Sequence, residues 1–384
     1  MTHHRPSTLA APDRAGALLG AARALLSAMQ ARAAALDAAA AFPFEDVDAL
    51  RGAGLLAAPL PENLGGLGAG TEPDGAGLAL GLLRLLGRGN PGVARLFEAH
   101  VNALRLVVRH GTPDQARRAA RDALAGHLFG LWVTDLPGEA LRLQDGHLRG
   151  RKGPCSGAGH CARAVVTAQT AQGTRLALVG LSGREPVLPV QGLQGMRAAA
   201  NGVVVLDGVP APPGALIGQP GDYLREPDFS CGAWRGSAAA SGALDALVEA
   251  ARADLARRGL GAAPMQQARF GQVLIAQETA RLWVKRAAAL AEAAAGDVAA
   301  VPDAARIAYV NLARLAVEAA CLDAIRDVQR SLGLAAFVAP HPCERIARDL
   351  ATYLRQPAPD AVLLEAAAWH LGQHEGQHGS QPPC

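Results

Sequence analysis

Histidine and cysteine give this chain its most versatile chemistry, and three placements raise specific possibilities. His370, His374 and His378 recur at i, i+4 and i+8, so on a helix they would share one face, the geometry of a metal pair. Gly372 and Gly376 fall inside that span and weaken a helix there. The run GQHEGQHGSQPPC therefore reads as a polar, disordered tail over 373–384, and no metal site is expected. In GPCSGAGHC, Cys155 precedes His160 and invites a thiol nucleophile with an adjacent base, but the flanking strand-like runs argue against it. His100, in EAHVNALRL, could donate a proton from a helix; a single histidine without a partner carries little information. No GxGxxG links a strand to a helix, and LGGLGAG at 64–70 has no Lys-Ser/Thr after it, so no nucleotide loop is indicated.

The chain must position whatever chemistry it has on a scaffold rich in alanine. Its 384 residues are 50% apolar but only 4% aromatic, which favours close-packed helices. A formal net charge of +3 gives no long-range field for nucleic acid or anionic lipid. No apolar run approaches a membrane span, and MTHHRPSTLAAPDRAG lacks the apolar core of a signal peptide. The six cysteines (155, 161, 231, 321, 343, 384) show no CxxC pairing, as expected of reduced thiols in a cytoplasmic protein.

From about Ala15 to Ala40, Leu18, Ala22, Leu25, Met29, Ala33 and Leu36 recur at three- and four-residue steps, one face of a helix. A second helix starts at Pro43, with Glu45 and Asp46 at its positive end and Val47 and Leu50 facing inward, and stops at Gly54. Ala76–Leu86 and Ala94–Arg109 continue the pattern. Near Leu128 the texture changes: LFGLWVT, HLRGRK, ARAVVTAQ, RLALVGL and NGVVVLDG are short strand-like runs separated by Gly, Pro, Asp and Gln. After Trp234, long helices are expected at roughly 236–258, 264–295 and 303–333, with another at 359–372. The organisation is an N-terminal helical domain (1–125), a middle antiparallel β-barrel or sandwich domain (126–222) and a C-terminal helical bundle (223–372), followed by the tail. The fold class is α+β, mostly α.

That order resembles the acyl-CoA dehydrogenase superfamily, and five segments carry the resemblance. FPFEDVDALRGAGLLAAPLPENLGGLGAG is similar to the N-terminal signature, a tight reversal between two packed helices. LFGLWVTD resembles the first flavin-contacting strand. LRGRKGPCSGAGHCARAVVTA resembles the second flavin segment, Gly-x-Lys-x-x-x-Ser/Thr-Gly-Ala. GMRAAANGVVVLDGVPAPPGALIG looks like the closing strand pair, and VQRSLGLAAF with HPCERIARDLATY like the last bundle loop and helix. The resemblance implies a four-helix C-terminal bundle and a flavin lying between it and the β domain. It places Trp132, Val133 and Thr134 along the isoalloxazine, with Cys155 and Ser156 on the second segment. It implies FAD whose pyrophosphate end meets Arg257, Arg330 and Gly333 of a neighbouring subunit, hence a homodimer or homotetramer. Arg330 stands where the family has glutamine, Leu334 where it has a second glycine, and Leu260 where it has a stacking aromatic. His100, Trp234, Arg235, Tyr353 and Arg355 are expected to border the substrate cavity.

The resemblance fails at the catalytic base. An acyl-CoA dehydrogenase removes an α-proton with a glutamate while the flavin takes a β-hydride. One position for that glutamate, counted from Arg348-Asp349, falls on Pro357; the other falls on Trp234, before Arg235. Asp360 and Glu365 lie downstream, out of register. The thioester-binding serine is also missing from Thr134-Asp135-Leu136-Pro137-Gly138-Glu139-Ala140, and the stretch to Lys152 reads as a trimmed hairpin. Three functions stay open. One is an FAD-dependent oxidoreductase of the CH–CH type on an atypical acyl-like substrate, served by an electron-transfer flavoprotein. The second is a flavin monooxygenase like dibenzothiophene monooxygenase, receiving reduced FMN from a flavin reductase and using O2. The third is a non-catalytic assembly partner. No catalytic residue is assigned.

Overall fold

A computed structural model describes residues 11–293 and 301–378. The N-terminal domain comprises α1 (Ala11–Ala39), α2 (Phe44–Gly52), α3 (Ala76–Gly89), α4 (Pro91–His110) and α5 (Pro113–Leu124). Pro43 is the residue before α2 rather than its first turn, and Val47 and Leu50 are buried as expected. The hook between α2 and α3 is built by close approach: a Cβ at Gly66 would stand 1.9 Å from the Leu60 carbonyl.

The middle domain contains β1 (Phe129–Trp132), β2 (Arg142–Gln144), β3 (His147–Arg149), β4 (Arg151–Cys155), β5 (Arg163–Thr170), β6 (Gly173–Gly180), β7 (Val187–Pro189), β8 (Gly202–Val205) and β9 (Leu216–Ile217). One sheet runs β3-β2-β5-β6-β9 with β1 also on β5; a second runs β4-β8-β7. The pairings are antiparallel except that β1 and the end of β2 join β5 in parallel. Ala164–Ala168 are buried in a continuous run, as a strand covered on both faces requires.

The C-terminal part contains α6 (Asp228–Cys231), α7 (Trp234–Arg257), α8 (Pro264–Ala291), α9 (Asp303–Leu332), α10 (Pro342–Tyr353) and α11 (Pro359–His378). Helix α11 runs on to His378, so residues 373–378, read from sequence as part of a disordered tail, are helical; 379–384 lie outside the described residues. Among the described residues no cluster of His, Cys, Asp and Glu could hold a metal ion, and no helix is long and apolar enough to cross a membrane.

Alanine and glycine set the packing distance. Helix α7 buries Ala238, Ala239, Ala240, Ala243 and Ala246. Where α3 crosses it, a Cβ on Gly87 would stand 2.1 Å from the Ala239 carbonyl, and one on Gly242 would stand 2.0 Å from the Arg84 carbonyl. The two backbones therefore touch through reciprocal glycines, and this contact docks the first domain on the bundle. Gly242→Ala should cost at least about 2–3 kcal/mol, because the obstacle is backbone that cannot rotate away. Urea denaturation of the variant against wild type measures this, and an unchanged midpoint would refute it.

Candidate functional site

Helix α4 carries a polar stripe through an otherwise buried segment: Arg95, Glu98, Asn102, Arg105 and Arg109, spaced three or four residues apart. Its partners come from several other elements. Tyr353 at the end of α10 donates from its hydroxyl to Glu98 Oε2 at 2.7 Å, and Arg95 Nη1 donates to the same oxygen at 2.7 Å. Asn102 Nδ2 donates to Glu98 Oε1 at 3.2 Å, and Asn102 Oδ1 accepts from Arg235 Nε at the start of α7. Arg235 Nη1 and Trp234 Nε1 both donate to Glu292 Oε1, at 2.7 and 2.9 Å. Arg105 Nη1 holds the other oxygen of Glu292 at 2.6 Å and also the Gly70 carbonyl at 3.0 Å. Asp228 faces Arg105 at 3.4 Å and pairs with Arg109.

Burial tunes these groups. Desolvation, with Arg105 nearby, pushes the Arg235 guanidinium down to about 10. The Glu98 charge raises that of Arg95, fixing it as a cation. Burial first, then Glu98, hold the Tyr353 phenol well above its ordinary range, so it stays a donor. Burial likewise moves the Tyr223 phenol up to about 12.

The Arg95 end of the stripe meets the β domain. Arg95 Nε reaches the Ser156 hydroxyl at 3.4 Å, and that hydroxyl donates to Asn201 Oδ1 at 3.0 Å. Trp132 Nε1 donates to the Ser156 carbonyl at 3.0 Å. Trp132 is only 2% exposed, so it ties β1 to the turn after β4 rather than presenting a free ring face. Cys155 is buried and its thiol is pushed up to about 12 by desolvation, which leaves no reactive thiolate. Val133 turns its carbonyl inward to Lys152 Nζ at 3.3 Å and Thr167 Oγ1 at 3.1 Å, while Thr134 is exposed. Lys152 is fully buried and pins the end of this segment through Asp135 at 2.5 Å and Thr167 at 2.8 Å.

Other expected positions fall elsewhere. His100 does not border a cavity: it is fully buried, accepts from the Phe129 N–H at Nδ1 (3.1 Å) and reaches the Leu56 carbonyl from Nε2 (2.7 Å). Both nitrogens are committed to backbone, which makes it a clamp between α4, β1 and the 55–57 turn. Arg355 is also outside the site, paired with Glu318 on the bundle surface with 57% of its side chain exposed. Arg257 pairs with Asp254 at the exposed end of α7. Arg330 and Gly333 lie exposed at the adjacent end of α9, where Arg258 reaches the Leu332 carbonyl and Gln266 the Ser331 carbonyl. The two loops expected at the cofactor's phosphate end thus meet.

Both positions for the family's glutamate lack a carboxylate. Pro357 is exposed and gives its carbonyl to Arg314, Asp360 and Glu365 are exposed on α11, and Trp234 and Arg235 are locked on Glu292. Even the Arg348-Asp349 marker works structurally: Asp349 accepts from the Met196 N–H at 2.6 Å and Arg348 pairs with Asp37 at 2.7 Å. Sequence reading missed Arg95, Glu98, Asn102, Arg105, Asn201 and Glu292. The available signal was the helical spacing of polar residues in ARLFEAHVNALRLVVRH.

Comparison with known proteins agrees with this architecture. The family model described as acyl-CoA dehydrogenase, N-terminal domain, matches residues 13–127. The amino sugar nitrososynthase DnmZ of Streptomyces peucetius is 30% identical over 360 residues, 85% of each chain. Among solved structures, KijD3 in complex with FMN and dTDP-3-amino-2,3,6-trideoxy-4-keto-3-methyl-D-glucose superposes with a TM-score of 0.77 at 23% identity, covering 99% of this chain and 97% of that one. Glutaryl-coenzyme A dehydrogenase gives a TM-score of 0.79 at 21% identity, with 97% of both chains covered. The chain belongs to the acyl-CoA dehydrogenase superfamily, with its helical, β and helical layout, and is a flavin-dependent enzyme of that class.

The His100 clamp has a pH signature. Burial lowers its pKa from 6.5 to about 4, so the unfolded chain takes up the proton first as pH falls. Its contribution is complete above about pH 6.5 and is lost on going down to about pH 4, roughly 3 kcal/mol in all. Urea denaturation at pH 7, 5.5 and 4.5 should show a steeper loss for wild type than for His100→Gln. Parallel curves would refute the assignment.

Proposed function

We propose that this protein is a flavin-dependent monooxygenase that oxidises the amine nitrogen of a nucleotide-linked amino sugar, using reduced flavin and O2. The observation that carries this reading is the lack of a carboxylate at both positions of the family's base, Pro357 and Trp234, in a chain that buries a polar cluster of Arg95, Glu98 and Tyr353. Its similarity to a nitrososynthase supports an amine as the group oxidised. KijD3, a neighbour in fold, carries a thymidine-diphosphate amino sugar together with FMN.

The groups at the mouth of the β domain fit a flavin. Exposed Thr134 and half-buried Ser156 offer hydroxyls that donate and accept, set by the Lys152 and Trp132 ties. Arg330, exposed at the end of the bundle, is a cation suited to a cofactor phosphate. Reduced flavin supplies the two electrons with which one atom of O2 enters the amine and the other leaves as water. The protein's share is to orient the substrate between α4, α10 and the β domain and to keep protons at defined atoms. Exposed Leu334, Phe337 and Val338 beside Arg330 support a homo-oligomer in which that end meets another subunit. A flavin reductase fits this reading as electron donor.

With FMN kept reduced by a flavin reductase under isotopically labelled O2, the thymidine-diphosphate amino sugar found with KijD3 should gain one labelled oxygen on nitrogen. Anaerobic bleaching of bound flavin by acyl thioesters, with no oxygen transfer to the amine, would overturn the proposal in favour of dehydrogenation.

A further inference from the structure

We infer that Glu98 is the residue that receives the substrate's amine and takes its proton, and that Gly236 keeps the approach to it open; this rests on the amine-oxygenation reading above. Nitrogen can attack oxygen only through a free lone pair, yet an alkylamine enters at neutral pH as R–NH3+. The crevice must therefore hold a proton acceptor. Pro357, Trp234 and His100 cannot serve, for the reasons given by their placement.

Glu98 has the needed geometry. Its side chain is 9% exposed, deep enough to act in a dry site yet not sealed. Oε2 is fully engaged by Arg95 and Tyr353. Oε1 accepts only from Asn102 among the described residues, and a carboxylate oxygen has room for a second donor. The charged and titratable groups around it are Arg95 on its own helix, Arg235 from α7, and the phenols of Tyr353 from α10 and Tyr223 from the 222–224 turn.

Gly236 supplies an independent observation. It sits within the first turn of α7, half-exposed, with an ordinary helical backbone. A Cβ there would lie 3.6 Å from Glu98 Oε1 and 3.8 Å from the Tyr353 hydroxyl, in normal contact with both. Neither backbone geometry nor packing demands glycine, which is a poorer helix former than alanine. What a methyl group would do is cover Oε1. Glycine leaves the space beside that oxygen free of side chain.

The step is a single proton transfer: R–NH3+ and the Glu98 carboxylate become R–NH2 and a carboxylic acid. The N–H bond breaks, an O–H bond forms, and no electron moves to or from flavin. The proton returns to solvent when product leaves.

Two variants test this, Glu98→Gln, nearly isosteric, and Gly236→Ala, which should fold at least as stably as wild type. Calorimetric titration with oxidised FMN present compares the thymidine-diphosphate amino sugar with its N-acetyl derivative, so no turnover is needed. Wild type should prefer the amine by at least tenfold, and both variants should lose most of that preference. In turnover, Glu98→Gln should lose about 100-fold or more in kcat/KM at pH 7. Its residual rate should climb about tenfold per pH unit towards the amine's own pKa, while flavin oxidation continues uncoupled. If Glu98→Gln keeps the amine preference and an unchanged pH profile, the inference falls and the oxygenase reading stands. If wild type prefers the amine and the variants do not, yet no oxygen reaches nitrogen, the oxygenase reading falls and the Glu98 assignment stands. If wild type shows no preference for the amine, Glu98 has nothing to receive and the inference falls too.

Discussion

A carboxylate removed from water is tolerated only when guanidinium, amide or hydroxyl donors replace its hydration, and the interior of this protein is arranged around two of them. Glu292 takes two guanidinia and an indole N–H; Glu98 takes a guanidinium, a phenol and an amide. Removing one partner from such a cluster typically costs about 3–5 kcal/mol, because the charge left behind stays desolvated. The donors come from α4, α7 and α10, so satisfying the two charges ties these elements together. Helix α4 belongs to the first domain, Trp234 and Arg235 to α7, Tyr353 to α10, and Glu292 follows α8.

The same principle holds the β domain in place. Asp349 on α10 accepts the Met196 N–H, Arg348 bridges to Asp37 on α1, and Ser156 meets Arg95. These directional bonds suit a crevice better than an apolar seam would. They leave hydroxyls and carboxylates at fixed points between the helices and the β domain. Alanine and glycine do the complementary work, letting α3 and α7 approach until their backbones touch.

The fold does not choose the chemistry. Structures in complex with glutaryl-CoA and with a nucleotide sugar superpose on this chain almost equally well. Where a dehydrogenase would place its glutamate, this protein has an exposed proline and a tryptophan locked on Glu292.

Much of the architecture was legible in the chain itself. Apolar residues at three- and four-residue steps marked α1, short β-branched runs marked β5, β6 and β8, and Gly and Pro clusters marked the breaks. The helical end at 373–378 was misread because two glycines outweighed the helix former beside them. At the site, side-chain contacts were not legible in the sequence. Trp132 and His100 looked like contact residues and are ties; Arg355 looked like a cavity wall and is a surface pair. Residue type and spacing thus determined the three-part layout, the flavin family and the missing base, because these depend on local periodicity and motif order. Only the tertiary structure decided that Glu98 meets Tyr353, 255 residues away, and that Arg235 meets Glu292, because such contacts follow from how helices cross and not from any pattern along the chain.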